Sequence, residues 1–225
     1  HNSRSSGFLQ QIGGLDATGL NRDNKRNAVS DYVRRTEGGV WVEGSHYNPG
    51  TLQLLIVGAE GVRTATGADH FPEVTRLLPQ LARAQLHELA PNLAAAHQWG
   101  DVQEARGLRL FRRMPLLTIL SGLLQNDPTV GPYLHSLRNT LVVIGLSVDP
   151  FAHPEEPTPR AFALYNPYAP ASDWHAIASA GYYAPGQGLM FAHDGWHTND
   201  SLLGAHMPTR VMVDQAEAPV GVEVV

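Results

Sequence analysis

Apolar residues recur at helical spacing along the first two thirds of the chain and in short, separated runs along the last third. From Asn48 the residues Leu52, Leu54, Leu55, Val57, Ala59 and Val62 repeat with a period near 3.6, which predicts a helix ending at the Thr66-Gly67 turn. Asn48-Pro49 marks its start, with Pro49 in the first turn and Asn48 placed to cap. The same periodicity predicts a helix from Asp23 to about Thr36, stopped by Glu37-Gly38-Gly39, and another from Phe71 to Leu89 that Pro79 should kink or divide. Met114 to Leu124 is almost wholly apolar, as a buried helix would be, and Val130 to Gly145 forms a further helix. Nearer the start, Phe8, Leu9, Ile12 and Leu15 predict a helix weakened by Gly13-Gly14, whereas Asn92 to Asp101 is a short helix or a loop carrying His97 and Trp99.

The pattern changes near Ser147. Between Pro150 and Pro170 six prolines make a linker or extended edge rather than a helix. Beyond that lie short apolar runs between turn residues. The runs at residues 160–165, 188–192, 201–205, 210–213 and 220–225 read as strands. The expectation is therefore an α+β chain: helical hairpins over residues 1–148, then antiparallel strands over 149–225.

Composition narrows the function. The 225 residues are 43% hydrophobic, enough for a substantial core, and there is no cysteine to supply a disulfide, a thiolate nucleophile or a Cys-based zinc site. No run of eighteen apolar residues predicts membrane insertion. The net charge of −5 divides into +3 over residues 1–35 and −8 over the rest. An acidic chain is a poor partner for nucleic acid, while its basic first segment suits an acidic sugar. The chain opens at His1 without a signal-like sequence, and reads as a mature product or a fragment. Gly186-Gln187-Gly188 leads into a strand with no βαβ unit, so it is not a nucleotide fingerprint, and no serine lies in a nucleophile elbow.

Most of the candidate chemistry gathers between Glu37 and Asn48, where Trp41, Glu43, His46 and Tyr47 crowd a glycine-rich turn just before a helix. A helix start carries partial positive charge and favours an anion or a phenolate. The run of acidic residue, glycine, small residue, His and Tyr, followed by a helix that ends in Thr66-Gly67-Ala68-Asp69, resembles the central helical region of heparinase II/III-like polysaccharide lyases. So does Tyr182 to Phe191 followed by His193-Asp194-Gly195-Trp196, where that family enters its β-sandwich.

The resemblance implies an incomplete (α/α) toroid followed by the start of a β-sandwich, spanning only part of a typical member. It also implies cleavage of an acidic, uronic-acid-containing polysaccharide by β-elimination. A base removes the C5 proton, an acid protonates the departing glycosidic oxygen, and donors neutralise the adjacent carboxylate so that the enolate can form. On this reading Tyr47 is base and acid, and Asn2, with His1 or Arg4 assisting, neutralises the carboxylate. Glu43 orients a neighbour or binds sugar hydroxyls, and His46 shuttles a proton or assists neutralisation. Trp41 and Trp196 stack on sugar rings, as Trp99, Tyr165 and Tyr168 could.

No cofactor is required for this chemistry. Gln215 and Glu217 stand where the resemblance calls for histidines, which leaves His193, Asp194, His197 and His206 as the donors from which a structural divalent metal could be assembled. The family's enzymes are commonly secreted or periplasmic. Two other readings stand beside the lyase: a glycoside hydrolase on an α/α scaffold using two carboxylates among Glu37, Glu43, Asp101 and Glu104, and a noncatalytic carbohydrate-binding fragment. The bland alternative for each residue is an ordinary one: a solvated Glu, a surface His, a Tyr packed on Trp41, core aromatics. Oligomeric state is open.

Overall fold

A computed structural model describes residues 28–93, 96–100, 113–148, 163–177, 179–197, 200–206 and 222–224. Among them are five α-helices, a single 3-10 turn and an antiparallel sheet, a mixed α+β architecture. The helices are α1 (Ala28–Arg35), α2 (Asn48–Thr66), α3 (Pro72–His87), α4 (Met114–Leu123) and α5 (Gly131–Val148); the 3-10 turn is Trp174–Ile177. The strands are β1 (Gly181–Ala184), β2 (Leu189–His193), β3 (Leu202–His206) and β4 (Val222–Val224), paired in that order.

Local chemistry accounts for the ends of α2. Pro49 occupies its first turn, and Gly67 closes it at φ +73° with its N–H on the Arg63 carbonyl. The capping expectation for Asn48 is corrected. Tyr47 holds the N-cap position without a side-chain cap bond, and the Asn48 side chain turns into the core. Helix α3 also departs from expectation, running through Pro79 as one helix. Its buried stripe of Val74, Leu77, Leu78, Leu81, Ala82, Gln85 and Leu86 holds it against its neighbours on both sides of the proline, outweighing one missing backbone bond.

The helical core is one apolar cluster. Leu52 and Ile56 of α2, Leu81 and Leu86 of α3, Leu116 to Leu120 of α4 and Leu134, Leu137 and Leu141 of α5 interlock in it. Helix α4 buries nearly all round, as its composition requires. Residues 163–177 lie across α4 and α5: Tyr165 donates to Asn139 Oδ1 at 2.9 Å, and Asn166 donates to Gln125 Oε1 at 2.9 Å. Within that stretch Ala163 and Leu164 are helical, not extended. A strand at 160–165 is thus excluded for its described residues, because the Leu164 backbone is pressed against Gly122. The first predicted helix and the strand at 210–213 lie outside the described residues.

Register places Leu189, Phe191 and His193 of β2 on the face turned toward the helices, opposite Ala184, Tyr182 and Leu202. Ala184, Leu189, Phe191 and Leu202 close over Val40 and Ala84 in a second, smaller cluster, so the sheet seats on the C-terminal half of α3 and on the turn that follows α1. Residues 96–100 form no helix; they run beside this seam, with Leu89 bridged to Ala96 and Gly44 to Gly100.

Two glycine substitutions in the helical body should separate. A Cβ at Gly122 would come within 2.0 Å of the Leu164 carbonyl oxygen, whereas Gly58 faces open space. Gly122→Ala should lower unfolding free energy by about 1–3 kcal/mol, and Gly58→Ala should raise it by about 0.5–1 kcal/mol, both read from urea denaturation.

Candidate functional site

The turn between α1 and α2 is shaped by glycine and anchored at three points. Gly38 (φ +83°), Gly39 (φ +85°) and Gly44 (φ +113°) have left-handed backbone, and a Cβ at Gly39 would meet the Gln80 carbonyl at 2.5 Å. Gly38 N–H donates to Gln80 Oε1 at 2.7 Å, tying the turn to α3. Ser45 N–H donates to the Trp99 carbonyl at 2.9 Å, tying its far end to residues 96–100. The third anchor is the β1–β2 turn: Gly186 N–H donates to the Glu37 carbonyl at 2.8 Å, and Gln187 Nε2 to the Arg35 carbonyl at 2.6 Å. The turn at 37–48 and the β1–β2 turn, remote in sequence, therefore touch here.

On this turn the candidate side chains take distinct positions. Tyr47 is 37% exposed at the mouth of α2, with the His46 ring edge-on to it at 4.7 Å between centroids. Trp41 does not pack on Tyr47. It stacks on Tyr32 of α1 at 4.1 Å and 11°, and its Nε1 donates to Glu43 Oε2 at 2.9 Å. Burial, with Glu43 nearby, raises the pKa of Tyr32 and keeps its phenol neutral. The arrangement offers solvent one phenol, one half-buried imidazole and one carboxylate, the last fixed to an indole edge.

Beneath the turn lies a group of buried polar side chains. Asn48 is fully buried; its Oδ1 accepts from Trp41 N–H at 2.8 Å and its Nδ2 donates to Glu88 Oε1 at 3.2 Å. Glu88, also fully buried, forms an ion pair with Arg113, Nη1 to Oε2 at 2.5 Å. Arg113 Nη1 further donates to Gln85 Oε1 at 2.9 Å. Burial pushes the Glu88 carboxyl up, and the Arg113 guanidinium pulls against it. Of these four only Asn48 stands out in sequence, and there as a helix cap rather than a buried partner. Their partners are 28 and 40 residues apart along the chain, beyond the reach of local pattern.

Trp196 is not a platform for a sugar ring. It is buried, stacked on His193 at 3.8 Å and 25°, and meets His87 and Trp174 edge-on at 5.5 and 5.6 Å, so its faces are occupied by protein. His193 likewise faces inward, whereas Asp194 is exposed and accepts from Ser201 N–H, and His197 is exposed. Those donors diverge, and among the described residues no three His, Cys, Asp or Glu side chains are grouped to hold a metal. Tyr165 is used internally, its ring under the Arg138 guanidinium at 4.1 Å and parallel to His135, and Tyr168 is exposed. His1, Asn2 and Arg4 lie outside the described residues, as do Asp101, Glu104, Gln215 and Glu217.

No protein-family model, curated protein or solved structure matches the chain. None of the helices described is long and apolar enough to cross a membrane.

The buried pair gives a direct test of what holds the turn. Removing one partner strands the other charge away from water, so Arg113→Met should destabilise the protein by about 3–5 kcal/mol. Arg113→Met combined with Glu88→Leu should recover much of that loss in a double-mutant cycle read by denaturant unfolding.

Proposed function

We propose that the protein is part of a polysaccharide lyase, built from helical hairpins of an (α/α) toroid at 1–148 and the first strands of a β-sandwich at 149–225. It cleaves a uronic-acid-containing polysaccharide by β-elimination. The observation that carries the reading is Tyr47, solvent-accessible at a helix N-terminus beside His46, on a turn locked to the β1–β2 turn that bears the second family-like motif.

The chemistry asks for a base and acid that stay in place while charge moves. Tyr47 as phenolate takes the C5 proton. The electron pair left at C5 forms the C4–C5 double bond as the C4–O bond breaks, and the Tyr47 hydroxyl returns a proton to the departing oxygen. One group can do both where the C5–H and C4–O bonds lie on the same face of the sugar ring. Asn2, with His1 or Arg4, neutralises the substrate carboxylate, and His46 assists; Glu43 takes a sugar hydroxyl, and Trp41, backed by Tyr32, presents an indole to a ring. The substrate is an acidic polysaccharide or oligosaccharide, met outside the cell or in a periplasm, and the reaction as written uses no cofactor.

The test is ultraviolet absorbance of the unsaturated uronate product, with alginate, heparan sulfate, hyaluronan and chondroitin offered in turn. Absorbance should rise with one polymer, and Tyr47→Phe should lower the rate by about 10²–10⁴-fold while thermal unfolding stays within a few degrees of the parent. A new reducing end without absorbance would turn the reading to hydrolysis. Binding without turnover by folded protein would turn it to a carbohydrate-binding fragment.

A further inference from the structure

The seam between α3 and the sheet carries two imidazoles in an unusual setting. His87, the last residue of α3, and His193, the last of β2, are both nearly inaccessible, at 3% and 5% exposure. The His193 Nε2–H donates to the His87 carbonyl at 3.1 Å, which fixes the proton on that nitrogen and leaves Nδ1 as an acceptor. Neither His87 Nδ1 nor His193 Nδ1 has a hydrogen-bond partner among the described residues. The His87 ring lies parallel to Tyr182 of β1 at 5.2 Å and edge-on to Trp196 at 5.5 Å, while His193 stacks on Trp196 at 3.8 Å. Helix α3, the edge strand β1, its neighbour β2 and the β2–β3 turn thus meet on two buried imidazoles.

We propose that this His87–His193 pair is an acid-sensitive latch: neutral, it holds the sheet against the C-terminus of α3, and protonation of the pair in mild acid releases the sheet edge from the helix while the helical core stays folded. A cation between Tyr182 and Trp196 would lie beside a second imidazole and away from water. The charged groups around the seam do not offset it. On α3, Arg83 is cationic and disfavours a second positive charge, and Glu88 is already committed to Arg113. From the sheet, Tyr182 is a neutral phenol whose hydroxyl donates to the Gln80 carbonyl at 3.2 Å, its pKa pushed up to about 12 by burial. Asp194 favours protonation of His193, but it is exposed and turned to Ser201.

Burial first, then the neighbouring His193 and Arg83, depress the His87 pKa from 6.5 to about 4, and burial lowers that of His193 also. For a histidine with a depressed folded-state pKa, the neutral form is present in both states above 6.5, and stability is whole there. As pH falls below 6.5 the open state takes up a proton that the closed state refuses, and stability is lost progressively down to about 4. Going from pH 7 to pH 5, His87 alone should reduce the ratio of closed to open protein about 20-fold.

The experiment combines hydrogen exchange with NMR of the imidazoles and stands apart from any catalytic activity. At pH 5, with intrinsic rates corrected for pH, the Phe191 and His193 amides should lose protection relative to pH 7, while those of Leu86 and Leu120 keep theirs. His87→Phe, which retains a ring between Tyr182 and Trp196, should remove most of that pH dependence. Loss of protection at all four amides together would overturn the latch in favour of whole-protein unfolding. Should the variant fail to fold, the parent protein still decides: a His87 ring that stays neutral through pH 5 in the closed form supports the proposal, and one titrating at the ordinary histidine midpoint overturns it.

Discussion

The ion pair between Glu88 and Arg113 is the constraint on which the rest of this structure depends. Both side chains are taken fully out of water, an arrangement that requires each charge to meet its opposite and to gain hydrogen bonds from its neighbours. Gln85 and Asn48 supply part of that, one from the preceding turn of α3 and one from the first turn of α2. Because removing any one member strands a buried polar group, the four residues fix the ends of α2, α3 and α4 against one another with little freedom to slide. Apolar packing supplies most of the driving force in the same core, but leucine against leucine tolerates shifts that a buried charge does not.

That rigidity reaches the surface through adjacent residues. Asn48 is fully buried and Tyr47, one residue earlier, is exposed; the backbone between them is anchored from below while the phenol projects into solvent. Asn48 also accepts the Trp41 N–H, so the same amide orients both ends of the turn that carries Trp41, Glu43, His46 and Tyr47. The glycines at 38, 39 and 44 make the tight backbone possible, and Gln80 and Gly186 hold it from the α3 and sheet sides. A side chain meant to meet a ligand in a defined pose benefits from such support, since misplacement of reacting groups by about 1 Å can cost on the order of 10²-fold in rate.

Helix periodicity was legible because it is a property of neighbours in sequence: Leu52 to Val62, Leu116 to Leu124 and the stripe of α3 each declare a helix without knowing what covers it, although in the first run Leu54 is exposed and Ile56, absent from the predicted set, is buried. The change from helices to strands after the proline-dense stretch was legible for the same reason. What could not be read depends on partners far along the chain. Asn48 before Pro49 has the local signature of a cap, and only Glu88, 40 residues on, turns it inward. Pro79 looks like a break, and packing of α3 on both sides carries the helix through it. Ala163 and Leu164 lie in an apolar, strand-like run, yet the surface of α4 at Gly122 decides their shape. Trp196 in His-Asp-Gly-Trp resembles an exposed aromatic, and the register of β2 against β1 and β3 puts it beside buried rings instead.

The two buried polar groups meet at consecutive residues, and this gives the seam its particular character. His87 belongs to the sheet-facing set and Glu88 to the helix-facing set, so one peptide unit at the end of α3 serves both. Its carbonyls are used as fully as its side chains: that of His87 accepts from His193, and that of Glu88 accepts from His97 N–H at 2.7 Å. The His97 ring in turn lies against Gly204, where even a methyl group would come within 2.3 Å. A helix end normally leaves carbonyls for water. Here strand β2 and the segment after α3 take them instead, so the sheet docks where the helix has unsatisfied acceptors, and the polar residues that sequence reading assigns to the surface become the means by which sheet and helices recognise each other.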